Sequence, residues 1–161
     1  DPEAKAVRLS QANMAGSSLA AVVIAAHEVG HAIQDATGYR PLTARTRLAK
    51  QAMKLERVGA VLMLVAPIVG ILAKSPHLLM LEMAFGFLIM AMSIVVHVVT
   101  LPTEFDASFQ RALPMLKDGN HIKTADMGAA KQILRAAALT YVAAAAMTLL
   151  NVGRWLRTIR I

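Results

Sequence analysis

Two long apolar runs in the middle of the chain constrain its fold more than any other feature. Residues 58–73 carry no charge, and residues 78–101 are apolar apart from Glu82, Ser93, His97 and Thr100. A helix needs about 20 apolar residues to cross a bilayer, and tilt or flanking bases can compensate for a shorter run. Lys74-Ser75-Pro76-His77 between the runs is typical of a tight turn. The pattern predicts a transmembrane hairpin over residues 58–101.

A third apolar segment near the C-terminal end predicts another span. Residues 133–153 are rich in alanine, carry Arg135 as their only charge, and are followed by Trp155 and the bases Arg154, Arg157 and Arg160. Trp155 is expected at the membrane interface. Hydrophobic residues make up 57% of the chain and charged residues 17%, against about 45–50% and about 25% in soluble domains. We therefore expect a mainly α-helical protein, a polytopic membrane helix bundle.

The segment between residues 40 and 57 is strongly basic. Beside a single acid, Glu56, it carries six bases: Arg40, Arg45, Arg47, Lys50, Lys54 and Arg57. Next to an apolar span, such a run is typical of a juxtamembrane segment facing anionic lipid headgroups. The net charge of +7 would also suit nucleic acid, but the aromatic residues that supply stacking platforms make up only 4% of the chain. The lipid bilayer is therefore the expected partner, and nucleic acid is not.

Positive charge is distributed unequally across the predicted membrane. With three spans, thirteen of the seventeen bases lie on the side of residues 1–57 and four, Lys74, Arg154, Arg157 and Arg160, lie on the other. The positive-inside rule places the more basic side in the cytoplasm. A site built by residues 1–57 is thus predicted to face the cytoplasm.

The sequence His27-Glu28-Val29-Gly30-His31 carries the chemistry of the chain. Ser17 and Ser18 predict a helix start near Leu19, and Gly38 with Pro41 predicts its end near Ala36. Helix positions four apart share a face, so both imidazoles can bind one tetrahedral Zn²⁺. The carboxylate of Glu28 can then take a proton from a zinc-activated water, as in H-E-x-x-H hydrolases. Gly30 would let another backbone come close to the metal.

A purely structural interpretation of this motif remains open. The two histidines could be buried and bonded to backbone carbonyls, with Glu28 paired to a neighbouring base. Burying three ionisable groups on an apolar helix is costly without a metal or partner, which favours the metal site. Because the chain has no cysteine, any metal must be held by histidine and carboxylate.

A zinc site of this kind needs a third protein ligand. Asp35 lies one turn beyond His31, but three ligands along one straight helix cannot all reach an ion at about 2 Å, so we expect Asp35 to be a solvated helix-end charge. Glu104 is the better candidate because the hairpin returns it to the side from which the motif helix left. The alternative for Glu104 is a cap or interface carboxylate paired with a nearby base.

Four stretches of the chain together resemble one family. They are His27-Glu28-Val29-Gly30-His31-Ala32-Ile33-Gln34, Gly38-Tyr39-Arg40-Pro41-Leu42, Leu101-Pro102-Thr103-Glu104-Phe105-Asp106-Ala107-Ser108 and Arg135-Ala136-Ala137-Ala138-Leu139-Thr140-Tyr141-Val142-Ala143-Ala144. This set is similar to the neutral zinc metallopeptidases of bacterial membranes, the YugP-type family. The resemblance implies a gluzincin-like metalloendopeptidase of the bacterial inner membrane that hydrolyses polypeptides, with zinc on His27, His31 and Glu104 and Glu28 as general base. It also implies further protein upstream of Asp1.

The residues that orient the two histidines are not predicted. Many gluzincins have an aspartate four residues after the glutamate ligand, where this chain has Ser108. Asp106 would face nearly the opposite side of an α-helix, so we assign it no such role. His97, Tyr141 and Arg135 are candidate donors to the tetrahedral intermediate, with bundle-facing or interface roles as their alternatives.

The chain is predicted to form one membrane-embedded domain over residues 1–161. Its parts are the catalytic helix and basic segment (1–57), the hairpin (58–101), the third-ligand helix and loop (102–132) and the third span (133–153).

The start of the chain and its function each keep alternatives. After a turn at Asp1-Pro2, polar and apolar residues alternate over residues 5–10. This pattern fits two interpretations equally well: a short edge strand that pairs with the substrate, or an ordered segment that leads into the first helix. Two other functions stay open: a noncatalytic membrane scaffold that retains a structural zinc, and a small transporter using Glu82, His97 and Arg135.

Overall fold

The chain folds into α-helices joined by short turns. The computed structural model describes residue 1 and residues 4–72 and 74–159. In chain order the helices are α1 (Gln11–Ala15), α2 (Leu19–Ala36), α3 (Arg40–Leu72), α4 (Pro76–Phe105), α5 (Leu113–Asp118) and α6 (Met127–Ile159). A π-helical segment, Asp106–Ala112, connects α4 to α5, and a 3₁₀ turn, Thr124–Asp126, precedes α6. The prediction of a mainly α-helical protein is confirmed.

The chain divides into two units. The first unit comprises Asp1–Arg45 and Val99–Ala143, and the second comprises Thr46–Val98 and Ala144–Ile161. In the first unit α2 packs mainly against the π-helical segment and also contacts α1 and α5. A buried apolar cluster joins α2, the π-helical segment, α5 and the start of α6: Val23, Ala26, Ala112, Leu116, Ala130 and Leu134.

The ends of α2 follow from its sequence. The hydroxyl of Ser18 accepts a hydrogen bond from the Ala21 backbone N–H at 3.2 Å, as an N-cap does. At the other end Gly38 takes the left-handed conformation, with φ of 65°, which ends the helix after Ala36 as predicted. Pro41 has a different role from the one expected, because it lies in the first turn of α3, where its missing N–H costs nothing.

The option of an edge strand over residues 5–10 is wrong for this structure. The described part of the chain contains no β-strand, so these residues have no neighbouring strand with which to form a ladder. Instead, Lys5 pairs with Asp35 of α2 at 2.6 Å, and Ser10 caps α1 by accepting a bond from the Asn13 N–H. Residues 5–10 are therefore the ordered lead-in. Pro2 of the expected Asp1-Pro2 turn lies outside the described residues.

The helix that carries Glu104 is longer than the sequence suggested. Pro102 lies inside α4, which continues past residue 101 and passes into the π-helical segment. The helical run ends at Gly119, with Pro114 inside the first turn of α5. Thr124 opens the 3₁₀ turn before α6, and no side chain caps that turn.

Two described helices are long and apolar enough to cross a membrane: Pro76–Asp118 and Thr124–Leu150. Only 11% of the most apolar window of each is buried inside the protein, whereas the core helix of a soluble protein is mostly buried. These helices fit a membrane protein. Within the second unit, Gly59 of α3 lies against the Ile89 side chain of α4.

Some predictions concern residues that the structure does not describe. The basic segment 40–57 and residues 58–72 form one helix, α3, but the predicted first span 58–73 ends on Ala73, which lies outside the described residues. Arg160 of the basic tail and the side chain of Trp155 are outside them as well. The first span and the interfacial tryptophan stay predictions.

Candidate metal centre

Three potential metal ligands from two helices meet in the first unit. His27 and His31 lie one turn apart on α2, with their ring centroids 4.7 Å from each other. Glu104 lies in the last turn of α4 and is only 2% exposed. Its Oε2 is 3.3 Å from Nε2 of His27 and 3.3 Å from Nε2 of His31. The structure therefore brings together the two histidines and the glutamate that the sequence singled out.

The two distances between Glu104 and the histidines fit zinc. Ligands held at about 2.0–2.1 Å from a tetrahedral ion lie about 3.3–3.4 Å from one another. Both Nε2 to Oε2 distances are 3.3 Å, and all three ligand atoms lie within 4.8 Å of one another. Two imidazoles and one carboxylate are also a donor set that zinc hydrolases use, with the fourth position left open.

His27 is oriented by Ser108. The Ser108 hydroxyl donates to the Leu134 carbonyl at 3.3 Å, so its oxygen is left to accept from Nδ1 of His27 at 3.0 Å. With the proton on Nδ1, the lone pair of Nε2 points toward Glu104. A hydrogen bond to the ring nitrogen that does not face the cluster fixes the orientation of the imidazole. The signal of Ser108 in the sequence was its position four residues after Glu104.

His31 is oriented by Gln34, which is fully buried. The Gln34 amide donates to the Thr103 carbonyl at 2.8 Å and to Oδ2 of Asp106 at 2.7 Å. Both partners only accept hydrogen bonds, so the Gln34 oxygen must face Nδ1 of His31, 2.9 Å away. This histidine therefore also carries its proton on Nδ1 and presents the Nε2 lone pair to the cluster.

Asp106 contacts the histidines only through Gln34. As expected, it bonds to neither histidine, but its Oδ2 receives both the Gln34 amide and Nε of Arg111, each at 2.7 Å. Arg111 also donates to the Thr37 hydroxyl at 3.3 Å, near the end of α2. The π-helical segment supplies Asp106, Ser108 and Arg111 together, which a sequence reading based on α-helical geometry missed.

A cation lies beside the second oxygen of Glu104. Nη2 of Arg45 is 3.8 Å from Oε1 of Glu104 and donates to the Tyr141 hydroxyl at 2.8 Å. The guanidinium carbon lies 5.5 Å from the centre of the Tyr141 ring. The sequence placed Arg45 in a lipid-facing basic segment, and no feature of its spacing indicated a position beside the cluster.

The cluster opens into a cavity of about 560 Å³. Glu28, Arg45 and Tyr141 line this cavity together with His27, His31 and Glu104. Of the predicted intermediate-binding residues, Tyr141 is therefore at the site. Arg135 is exposed, and His97 belongs to the second unit. Asp35, expected to be a solvated charge, is ion-paired to Lys5 at the cavity wall.

The chain is similar to known proteins along almost its whole length. A family model described as "Putative neutral zinc metallopeptidase" matches residues 1–160. The chain belongs to this zinc metallopeptidase family. The chain is also similar to the "Putative membrane protease YugP" of Bacillus subtilis (strain 168), with 33% identity over 155 residues that cover 96% of this chain and 65% of that protein. The chain thus spans just under two thirds of that relative's length. No solved structure matches it.

Membership in the metallopeptidase family bears on the cluster. The family implies Zn²⁺ as cofactor and suggests a hydrolase. His27, His31 and Glu104 are the group of described residues that could hold the ion. The resemblance to a zinc metallopeptidase family and the prediction of zinc as cofactor are therefore confirmed.

Removing the hydroxyl of Ser108 is expected to weaken zinc binding by about 10–100-fold, the usual effect of losing a partner that orients a ligand. In Ser108→Ala, Nδ1 of buried His27 loses its acceptor, so the ring is free to turn or to change tautomer. Competition with a chromogenic chelator measures the affinity. Ser17→Ala removes an exposed hydroxyl just before α2 and should change nothing. Equal zinc affinity in both variants would contradict the orienting role.

Replacing Gly30 by alanine is expected to destabilise the first unit by about 1–3 kcal/mol. A Cβ there would lie 2.6 Å from the Ala107 carbonyl oxygen, and neighbouring backbone atoms of Ala107 at 3.2–3.3 Å leave no room to move. The helix would be pushed away from the segment behind Glu104. Chemical denaturation measures the loss. Gly128→Ala is the matched control, because nothing lies within 4 Å of its added Cβ. It should be neutral or stabilising, since alanine favours helix.

Zinc binding is expected to strengthen as pH rises above 6.5. Burial by itself lowers the pKa of His31, but the hydrogen bond and charge of Glu104, the Gln34 bond and the charge of Glu28 outweigh it and raise the pKa above its ordinary value of 6.5. In the metal-free protein this raised pKa stabilises the fold below pH 6.5, and the contribution is lost as pH rises through the folded pKa. Zinc must displace that proton. Between about pH 5.5 and 8.5, a range around the ordinary histidine pKa of about 6.5, zinc affinity measured by titration should rise with pH. Over the same range the contribution of His31 to the free energy of unfolding of the metal-free protein should fall.

Proposed function

We propose that this protein is a zinc-dependent membrane metalloendopeptidase that hydrolyses peptide bonds in polypeptide substrates. The observation that carries the proposal is the convergence of His27, His31 and Glu104 within 4.8 Å of one another, with Nδ1 of both histidines committed as hydrogen-bond donors. Such a site holds its ligand lone pairs ready for one ion. The cavity beside it supplies space for a peptide.

The residues of the cavity divide the chemistry among them. Zinc, when bound, supplies a Lewis acid that polarises a carbonyl and lowers the pKa of water toward about 7. Glu28 lines the cavity without belonging to the ligand cluster, so its carboxylate is available to take the proton from water and deliver it to the leaving amine. His27, His31 and Glu104 are proposed as the metal ligands, and Glu28 as the catalytic residue.

We further propose that residues 1–161 act as one membrane-embedded domain with its site on the cytoplasmic side. The two apolar helices support the membrane location, and the excess of bases on the side of residues 1–57 supports the orientation. In a bacterium this corresponds to the inner membrane. A reporter fused after residue 161, or cysteine labelling of introduced surface cysteines, tests the topology directly.

Cleavage by the purified protein tests the activity. Detergent-solubilised protein is loaded with one equivalent of zinc and incubated with unfolded, fluorescently labelled polypeptides, then treated with a chelator and reloaded. We expect cleavage inside the chain that stops with the chelator and returns with zinc. Stoichiometric zinc with no cleavage of any substrate in the set would instead support the noncatalytic scaffold with a structural zinc.

A further inference from the structure

The two oxygens of Glu104 have different neighbours. Oε2 is 3.3 Å from both histidine Nε2 atoms, whereas Oε1 faces Nη2 of Arg45 at 3.8 Å. A carboxylate with 3% side-chain exposure keeps whichever orientation its charged neighbours favour, because little water is present to screen them. One oxygen is thus directed to the ion site and the other to a guanidinium.

Arg45 is itself held in place. Its Nη2 donates to the Tyr141 hydroxyl at 2.8 Å, and its guanidinium carbon lies 5.5 Å from the Tyr141 ring centre. Its side chain is 25% exposed at the cavity wall. Arginine cannot be deprotonated in a protein, so this positive charge is permanent at every working pH.

We propose that Arg45, supported by Tyr141, is a positioning residue that makes Glu104 bind the metal through Oε2 alone. A carboxylate without such a partner can chelate an ion with both oxygens. Chelation would occupy a further coordination position, which a hydrolase needs for water and the scissile carbonyl. Arg45 thereby keeps the coordination number low. This inference rests on the metal site of the proposed function, and it does not require that the bound metal hydrolyses peptides.

The test is the coordination of the bound metal in five variants of the full chain. X-ray absorption at the zinc edge counts the light ligands, and the intensity of the visible bands of the cobalt-substituted protein reports tetrahedral against higher coordination. In Arg45→Gln we expect about one additional oxygen ligand and weaker cobalt bands. Zinc affinity should fall by about 10-fold, as for other partners that orient a ligand.

The other variants separate the proposed role from loss of charge or of fold. Tyr141→Phe loses only a hydroxyl and should shift coordination in the same direction but less. Arg45→Lys keeps the positive charge but replaces the planar guanidinium by an ammonium group. Its coordination should therefore be intermediate between that of the wild type and that of Arg45→Gln. Arg47→Gln removes an exposed charge from the same helix and should match the wild type. A double variant of Arg45 and Tyr141 should be no worse than Arg45→Gln alone.

Two results with the Arg45→Gln variant would overturn the inference. One is wild-type coordination and zinc affinity in Arg45→Gln. The other is slower peptide cleavage with unchanged coordination, which would mean that Arg45 acts on the substrate instead of on Glu104. A wild-type protein that binds zinc through one Glu104 oxygen but cleaves nothing would refute the proposed peptidase while leaving the role of Arg45 supported. A wild-type protein that binds no zinc would refute both.

Discussion

Glu28→Gln is expected to abolish peptide hydrolysis while zinc stays bound. Glutamine has the size of glutamate but no basic oxygen, so water at the metal would lose its proton acceptor. General-base catalysis contributes about 10²–10⁴-fold to a rate, and the same carboxylate would also serve as the acid for the leaving amine. We therefore expect kcat to fall by about 10⁴-fold or more.

The measurement pairs cleavage with metal content. Elemental analysis of Glu28→Gln should still give zinc at the wild-type ratio, because Glu28 is not in the ligand cluster. Glu56→Gln makes the same chemical change at an exposed position of α3 and should cleave at the wild-type rate. If Glu28→Gln cleaves normally, the assignment of the base is wrong even if the metal site is right.

Glu104→Ala is expected to lose the metal. The variant keeps both imidazoles but has no third protein ligand, and we expect zinc affinity to fall by more than about 100-fold, beyond the upper range for partners that only orient a ligand. Arg45 would lose its carboxylate neighbour as well. Unfolding of the metal-free variant must therefore be measured, since breaking a buried ion pair can cost about 3–5 kcal/mol.

Two further variants separate ligation from stability. Glu104→Gln keeps the volume and removes only the charge, so zinc loss in a well-folded Glu104→Gln protein identifies Glu104 as a ligand. Asp35→Ala is the control for loss of a carboxylate. Asp35 lies near the end of α2, pairs with Lys5 and is not part of the ligand cluster. The variant should retain zinc. Zinc loss in Asp35→Ala together with zinc retention in Glu104→Gln would reverse the assignment.

The parts of the site that the sequence predicted follow from helix geometry and from chain topology. Ser18 and Gly38 set the ends of α2, and the spacing of His27 and His31 sets their common face. Glu104 was found by a topological argument, because an apolar hairpin must return to the side from which it left. The inferences about α2 depend on helix capping and helix geometry, whereas the inference about Glu104 depends on the length of the apolar runs.

The parts that escaped prediction depend on how elements pack. Gln34 orients His31 only because Thr103 and Asp106 are brought to its amide by the π-helical segment. α-Helical geometry placed Asp106 away from the site, and a change in helix type was not visible in the residues. Arg45 looked like one of six similar bases. Its position beside Glu104 follows from the tertiary structure of the first unit.

The contact at Gly30 has a consequence for which ions the protein can accept. There α2 meets the chain behind Glu104 main chain to main chain, with an added Cβ already 2.6 Å from a carbonyl oxygen. Backbone atoms cannot change rotamer, so this contact fixes the separation of the two backbone segments from which the imidazoles and the carboxylate extend. Calcium requires six to eight oxygen ligands at about 2.3–2.6 Å, and among the three ligand residues only Glu104 offers oxygen. Two nitrogen donors on closely packed backbones therefore favour a small ion with few ligands over calcium.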